Sequence, residues 1–142
     1  MVDTLYELIG GRSAVHAAVE SFYRKVLADP SLRHFFDQTD MPHQVGRQSM
    51  FISMLLGGRI VYTGKDVGTA HAGAREKGLN DSHFDTFLKH FRAALEEAKV
   101  PPDKMEKVMI LLEGNRDAVL GRESLGRSRP LPRVKRKTRE RV

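Results

Sequence analysis

Apolar side chains recur at helical spacing along the first long segment of the chain. The series falls at positions i, i+4, i+7, i+8 and i+11, which places its members on one face of a helix: Val15, Val19, Phe22, Tyr23 and Val26. The pattern ends in the stretch "LADPSL", where Pro30 disfavours helical geometry at Asp29. We therefore expect an amphipathic helix that ends just before Pro30.

A second apolar stripe follows, and it has both a start signal and a stop signal. Asp40 is suited to cap a helix, Pro42 is tolerated in the first helical turn, and Gly57–Gly58 stops the helix. One side of this predicted helix contains Val45, Gln48, Phe51, Ile52 and Leu55.

Two more helices are predicted in the second half of the chain. Asn80 or Asp81 caps the first, "VPPDK" ends it, and its apolar stripe consists of Phe84, Phe87, Leu88, Phe91 and Leu95. The last helix ends near Gly121 and is marked by Met105, Val108, Met109 and Leu112. No stretch alternates over enough residues to predict a strand, so the pattern favours an all-α fold.

Between the second and third of these helices lies a glycine-rich stretch, "YTGKDVGTAHAGAREKGLNDSHF", which spans residues 62–84. Its four glycines argue against a long helix, and at most one short helix is predicted, around residues 67 to 75. The stretch contains His71 and His83, and neither belongs to an obvious metal-binding motif.

Charge divides the 142-residue chain into two parts. Residues 122 to 142 carry nine Lys or Arg and two Glu, a net charge of +7, whereas residues 1 to 121 have a net charge of −1. The basic segment has few apolar residues and is predicted to be a disordered tail. The expected organisation is one domain over residues 1–121, long enough for a real core, followed by a tail over residues 122–142.

Composition excludes several kinds of site. The chain has no Cys, which excludes disulfides, thiolate metal sites, Cys-ligated iron–sulfur clusters and a Cys nucleophile. The N-terminal residues show no signal-peptide pattern, and the most apolar run, "MFISMLLGG", is too short to cross a bilayer. We therefore expect a cytoplasmic protein without a transmembrane segment.

Polar residues lie on the apolar faces of two predicted helices. Tyr23 belongs to the stripe of the first helix, and Gln44 and Gln48 lie one turn apart on the second. A buried glutamine without partners costs about 1–3 kcal/mol. For Gln44 alone a local partner or solvent is the simpler interpretation, whereas for Tyr23 and Gln48 together a polar ligand is an equal alternative.

The six histidines do not form a recognisable metal site. His16, His34, His43 and His90 lie among charged or polar neighbours, so each is expected at the surface, and His83 is expected to bond locally near a helix start. A histidine such as His71, taken alone, is more often an ordinary, partly buried residue than a metal ligand. If His71 does bind a metal, a cofactor must supply the other ligands, as the four porphyrin nitrogens of a haem do.

Five pieces of the chain, in order and at close to the same spacing, resemble the group I truncated haemoglobins. They cover roughly residues 4 to 120 and read "TLYELIGGRSAV", "FYRKVLADPSLRHFF", "MPHQVGRQSMF", "LGGRIVYTGKDVGTAH" and "GLNDSHFDTFLKHF". The resemblance implies a two-over-two helical sandwich around haem b, with little or no first helix and a very short proximal helix after an extended loop.

The same resemblance implies roles for single residues. His71 would bind the haem iron from the proximal side, and Tyr23, Gln44 and Gln48 would surround the bound ligand on the distal side. Arg47 and Tyr62 would reach the haem propionates, and Phe36 and Phe51 would contact the haem. Some relatives have a histidine that ligates the iron at the position of Arg47, which arginine cannot do because it does not deprotonate.

Three functions follow from these observations. The first is reversible binding of O2, NO or CO at a ferrous iron, with Tyr23, Gln44 and Gln48 stabilising the ligand. The second is NO dioxygenase activity, which needs an external reductase. The third is a helical module that acts through its basic tail on nucleic acid, an anionic membrane or an acidic partner. A solvated, solubilising extension is an equal alternative for the tail.

Overall fold

A computed structural model describes residues 4–58 and 67–122 of the chain. Its regular elements within these ranges are helices, which confirms the all-α class. They are α1 (Leu5–Ile9), α2 (Gly11–Leu27), a 3-10 turn (Arg33–Phe36), α3 (Met41–Leu55), α4 (Val67–Ala70), α5 (Ala72–Glu76), α6 (Asp81–Glu97), α7 (Pro102–Glu113) and α8 (Arg116–Val119).

The core is built around α2. This helix packs against α3 and α6, and α6 packs against α7, so that two helix pairs form the expected two-over-two sandwich. The predicted stripe of α2 is buried in full, because Val15, Val19, Phe22, Tyr23 and Val26 are all 7% exposed or less. Burial of each such apolar side chain contributes about 1.5–3 kcal/mol, which holds the two layers together.

The helix starts follow the predicted caps. The Asp40 carboxylate accepts a hydrogen bond from the His43 N–H (3.2 Å) at the start of α3. Asn80 caps α6: its side chain accepts from the His83 N–H, and the Asn80 N–H donates to the His83 ring. Each such cap is worth about 1 kcal/mol and fixes where the helix begins.

The glycine-rich stretch differs from its prediction because two short helices, α4 and α5, meet at His71. In a continuous helix the Val67 carbonyl would accept from the His71 N–H. Here that carbonyl lies 2.8 Å from Nδ1 of the His71 ring, and the His71 N–H instead donates to the Gly68 carbonyl (3.3 Å). The side chain thus replaces a backbone hydrogen bond and breaks the helix at the histidine.

The last predicted helix is also divided in two. It ends as α7 at Glu113, and a separate turn, α8, begins at Arg116. The intervening Asn115 side chain donates to the Leu111 carbonyl (3.1 Å), a local bond that competes with helical hydrogen bonding. The break turns α8 toward α4, against which it packs.

Charged side chains hold the C-terminal turn to α6. Arg116 pairs with Asp81 and Glu113 and lies over the Phe84 ring, 4.7 Å from its centroid. Arg122, the first residue of the predicted basic tail, pairs with Asp81 (2.6 Å) and Asp117 (3.0 Å). The remainder of that tail, residues 123–142, lies outside the described residues.

Within the described ranges no helix has the length and apolar character needed to cross a membrane.

Candidate functional site

A cavity of about 530 Å³ lies between the helix layers. Elements from both halves of the chain line it: α2, the 3-10 turn, α3, the α4–α5 junction, α6 and the α7–α8 region. This volume is within the range of about 300–1,000 Å³ that is typical of cofactor and ligand sites. Most of the lining is apolar and aromatic, with Phe22, Phe35, Phe36, Phe51, Phe84, Phe87, Leu88 and Phe91 among its members.

Phenyl rings hold one another in place along this lining. The Phe36 ring makes edge contacts with Tyr23 (centroids 5.5 Å apart) and Phe87 (6.3 Å). Phe22 in turn packs against Tyr23, 4.9 Å between centroids. Such ring pairs are worth about 0.5–1.5 kcal/mol beyond their burial, so the walls are pre-formed surfaces.

His71 is the histidine of the glycine-rich stretch that reaches the cavity. Its Nδ1 lies 2.8 Å from the Val67 carbonyl, so Nδ1 carries the proton and donates, while Nε2 keeps a free lone pair. Burial lowers the pKa of His71, and the charge of Arg75 lowers it further against the opposing hydrogen bond to Val67. The ring is therefore neutral near pH 7, the form that ligates a metal.

Tyr23 brings a hydroxyl into the same cavity from α2. The Gln44 amide Nε2 donates to the Tyr23 hydroxyl at 2.9 Å, which joins α3 to α2. Burial raises the pKa of Tyr23 to about 12, although the Gln44 hydrogen bond and the Arg47 charge act in the opposite direction. The phenol stays protonated, and because its oxygen accepts from Gln44, its own hydrogen is left to donate elsewhere.

Arg47 fixes the direction of this hydrogen bond. Its Nη2 donates to the Gln44 Oε1 at 2.7 Å, so the NH2 end of the amide must face Tyr23. The result is a directed chain in which Arg47 donates to Gln44 and Gln44 donates to Tyr23. Gln48, one turn further along α3, also lines the cavity.

The structure brings together most of the residues singled out from the sequence. Tyr23, Phe36, Gln44, Arg47, Gln48, Phe51 and His71 all line the one cavity. Tyr62 lies outside the described residues. The lining also includes exposed polar residues that the sequence did not assign to a site, among them Gln38, Lys77 and the helix cap Asp40, which form its solvent-facing part.

The other histidines are placed differently. His16 and His43 are exposed, as expected, although His43 also lines the cavity. His34 and His90 are both half-buried, which is less exposed than expected. His34 packs against the Phe35 ring, 4.0 Å between centroids, and the His90 ring lies 2.7 Å from the Asp29 carboxylate. The sequence did not predict the pair of His90 and Asp29, because the two residues are 61 positions apart.

The donor set fits a haem better than a bare metal ion. No group of three or more His, Asp or Glu that could hold an ion occurs within residues 4–58 and 67–122. One neutral imidazole therefore needs a cofactor that brings its own ligands, and the aromatic lining suits a flat, apolar ring. Exposed Arg47 and Lys77 provide positive charge at the solvent-facing part of the lining, where acidic groups of a cofactor would lie.

Comparison with known proteins agrees with this geometry. The model of the bacterial-like globin family matches residues 4–120. The group 1 truncated haemoglobin of Tetrahymena pyriformis is 41% identical over 120 residues, which is 84% of this chain and 97% of the relative. The corresponding protein of a Synechocystis species is 40% identical over 108 residues, 75% of this chain and 87% of the relative.

Solved structures show the same relationship. The Fe(III) form of the T. pyriformis truncated haemoglobin superposes with a TM-score of 0.77 at 41% identity, covering 83% of this chain and 98% of that one. A 2/2 haemoglobin from a Synechococcus species, in the cyanomet state with covalently attached haem, gives 0.81 at 37% identity and covers 84% and 100%.

Proposed function

Because the chain belongs to the bacterial-like globin family, as a group 1 truncated haemoglobin with a haem iron cofactor, we propose that it reversibly binds O2 next to Tyr23. The observation that carries this proposal is the cavity itself, which His71, Tyr23, Gln44 and Gln48 all line. Haem, when bound there, supplies an iron whose open coordination position takes up small gaseous ligands.

His71 is the residue proposed to hold the iron. Its Nε2 is free because Nδ1 is engaged by the Val67 carbonyl, and that bond also sets the orientation of the ring. Phe36 and Phe51 would pack against the haem, and Arg47 would pair with a propionate. Tyr62, outside the described residues, is retained as a second propionate contact.

Tyr23 is the residue proposed to stabilise the ligand. Its hydroxyl accepts from Gln44 and has no acceptor of its own within the described parts of the chain. That hydrogen is available to a polarised diatomic ligand in the cavity, and such a bond is worth about 1.5–3 kcal/mol. Gln48 adds a second amide to the same lining.

A relative supports this assignment of the three polar residues. Solved variants of the T. pyriformis protein replace one tyrosine by phenylalanine and two glutamines by glutamate, and these glutamines follow the tyrosine by 21 and 25 residues. Gln44 and Gln48 follow Tyr23 by the same 21 and 25 residues. This equal spacing supports the proposal that Tyr23, Gln44 and Gln48 occupy the corresponding positions in this chain.

The test is spectroscopic. Protein produced with abundant haem should show a strong Soret band that shifts on reduction and again when CO or O2 is added, and O2 should be released intact on evacuation. Protein that takes up haem but never gives a reversible O2 spectrum would contradict the proposal.

A second candidate function, oxidation of NO to nitrate, uses the same cavity. The Tyr23 and Gln44 pair that would retain O2 would also hold it for reaction with NO, and an external reductase must then return the iron to the ferrous state. Consumption of NO over many turnovers with an electron donor would support this activity. A single turnover would not, because oxygenated globins in general react with NO.

The basic residues 122–142 are proposed to be separate from this activity. The family match ends at residue 120, just before the change in charge. A protein that lacks residues 123–142 should keep its ligand binding. Loss of a salt-sensitive association with nucleic acid or anionic vesicles in that variant would show that the tail binds an anionic partner.

A further inference from the structure

Arg75 lies one helical turn after His71 and reaches two other segments of the chain. Its Nη1 donates to the Gly68 carbonyl at 2.9 Å and to the Val119 carbonyl at 3.0 Å. The first carbonyl belongs to α4 and the second to α8, so one guanidinium group connects the two. The backbone N–H of Arg75 also donates to the His71 carbonyl at 3.0 Å.

These bonds are not those of an ordinary surface arginine. Arg75 is half-buried, and within residues 4–58 and 67–122 its side chain bonds to backbone carbonyls and forms no ion pair with a carboxylate. Withdrawing a charged group from water without a counterion is costly unless its donors are satisfied. Two backbone carbonyls satisfy both hydrogens of Nη1 here, and this indicates that holding those carbonyls is the role of the side chain.

The end of α8 leaves space for this side chain. Gly121 has a φ of +71°, and a Cβ added there would lie 2.8 Å from the Arg75 Nε and 3.1 Å from its Cδ. A larger residue would therefore be strained and would also displace Arg75. The C-terminal turn of the globin domain is thus shaped around the guanidinium.

The contacts of Arg75 lead directly to the haem ligand. The Gly68 carbonyl that Arg75 holds also accepts from the His71 N–H (3.3 Å), and the preceding carbonyl, of Val67, orients the His71 ring. Two consecutive carbonyls thus fix the backbone and the ring of His71. Arg75 anchors the second of them to α8.

From these contacts we propose that Arg75 is a positioning residue for His71. By tying α4 to α8 it holds the His71 backbone and ring in the orientation in which the imidazole would bind the haem iron. The role rests on the proposed function in one respect, that His71 is the iron ligand. It makes no use of the distal residues, so it holds whichever small ligand is physiological.

The experiment compares Arg75→Gln and Arg75→Lys with the wild-type protein, all carrying haem. The control is Arg12→Gln, because Arg12 is exposed and lies on α2 away from the cavity. The main measurement is the iron–histidine stretching band of the ferrous, unliganded protein by resonance Raman spectroscopy. The second is the rate of haem loss to excess apomyoglobin.

Loss of the double hydrogen bond should shift and broaden the iron–histidine band in Arg75→Gln. Haem should leave roughly 10-fold faster, the lower end of the effect of residues that orient a metal ligand. Arg75→Lys keeps the charge and can reach one carbonyl, so its band should lie between those of the wild type and Arg75→Gln. The band of the control, Arg12→Gln, should match that of the wild type. Gly121→Ala provides a second route, because it displaces Arg75 and should shift the band in the same direction.

A band at the wild-type position in both Arg75→Gln and Gly121→Ala, with unchanged haem loss, would overturn the positioning role. If Arg75→Gln does not fold, Gly121→Ala and Arg75→Lys decide the outcome alone. A wild-type protein that shows no iron–histidine band at all would instead overturn the assignment of His71, which is a separate failure.

Discussion

The Gln44 amide nitrogen lies 2.9 Å from the Tyr23 hydroxyl oxygen and donates to it across the α2–α3 interface. This single contact joins two residues that are 21 positions apart and gives the phenol a fixed role. Since the Tyr23 hydroxyl oxygen accepts from Gln44, its hydrogen can be donated to a different acceptor. A ligand bound in the cavity would be that acceptor.

Tyr23→Phe removes the proposed donor and also the acceptor of the Gln44 N–H, while the ring contacts remain. We expect O2 to dissociate at least several-fold faster, because a bond to a polarised ligand of about 1.5–3 kcal/mol is lost. Stopped-flow displacement of O2 measures the rate. The matched control is Tyr6→Phe, a tyrosine outside the cavity lining, and equal rates for both variants would remove the role of Tyr23.

Gln44→Glu tests the direction of the hydrogen bond. An ionised carboxylate cannot donate, so the Tyr23 hydroxyl would turn to donate to it and would no longer be available to a ligand. The O2 dissociation rate should rise, and it should fall back as the pH is lowered and the introduced carboxylate is protonated. In the double variant with Tyr23→Phe, Gln44→Glu should raise the O2 dissociation rate little further, because both changes remove the same hydrogen bond from Tyr23 to the ligand. Fully additive effects of the two substitutions would contradict this hydrogen-bond direction.

His71→Ala should greatly weaken haem attachment, because it removes the proposed iron ligand. Among the described residues, the one other histidine of the lining is the exposed His43. The Soret band should be weak or absent after purification, and added imidazole should restore it. His83→Ala is the control from the same stretch. It should cost about 1 kcal/mol of stability through the α6 cap and leave the spectrum unchanged. A normal ferrous spectrum in His71→Ala would exclude it as the ligand.

Asp29 gives a pH-dependent contribution to stability. Hydrogen bonds from His90, and then from the Ser31 side chain and backbone, lower its pKa from 3.8 to about 2. Because the pKa is lower in the folded state, these bonds stabilise the protein above about pH 4, and this contribution is lost as the pH falls toward 2. Asp29→Asn should therefore lower the free energy of unfolding by roughly 1–2 kcal/mol at pH 6 and by little near pH 2.

Urea titration of haem-loaded protein at several pH values measures that difference. Asp37→Asn serves as the control, because Asp37 is an exposed carboxylate in the same connecting region. A constant difference between wild type and Asp29→Asn across this pH range would show that the carboxylate has the same pKa in both states.

The long helices could be predicted because their causes are local. In α2 the apolar spacing of Val15, Val19 and Val26 is a direct consequence of helical geometry, and the stop before Pro30 comes from sterics. Asp40 and Asn80 cap their helices through residues three positions away. Such signals depend on residues only a few positions apart, so they can be recognised in the sequence.

The two helix breaks could not be predicted in the same way. His71 breaks its helix because its ring takes the Val67 carbonyl, and Asn115 interrupts the last helix by bonding to Leu111. Spacing alone does not show whether a side chain will replace a backbone hydrogen bond. Both residues line the cavity, so the departures from regular helix occur where the site is built.

By itself the sequence determined the helical class, the apolar faces, the caps and the resemblance that singled out His71, Tyr23, Gln44 and Gln48. Each of these depends on residue type and on spacing over a turn or two. Only the tertiary structure decided the hydrogen-bond partners and directions. Gln44 donates to Tyr23 and not the reverse, and His90 pairs with Asp29. It alone brought Arg75 to a carbonyl 44 residues away. Such partners are chosen by how α2, α3, α6 and α8 pack, because a hydrogen bond depends on distance and direction in space, which spacing along the chain does not specify.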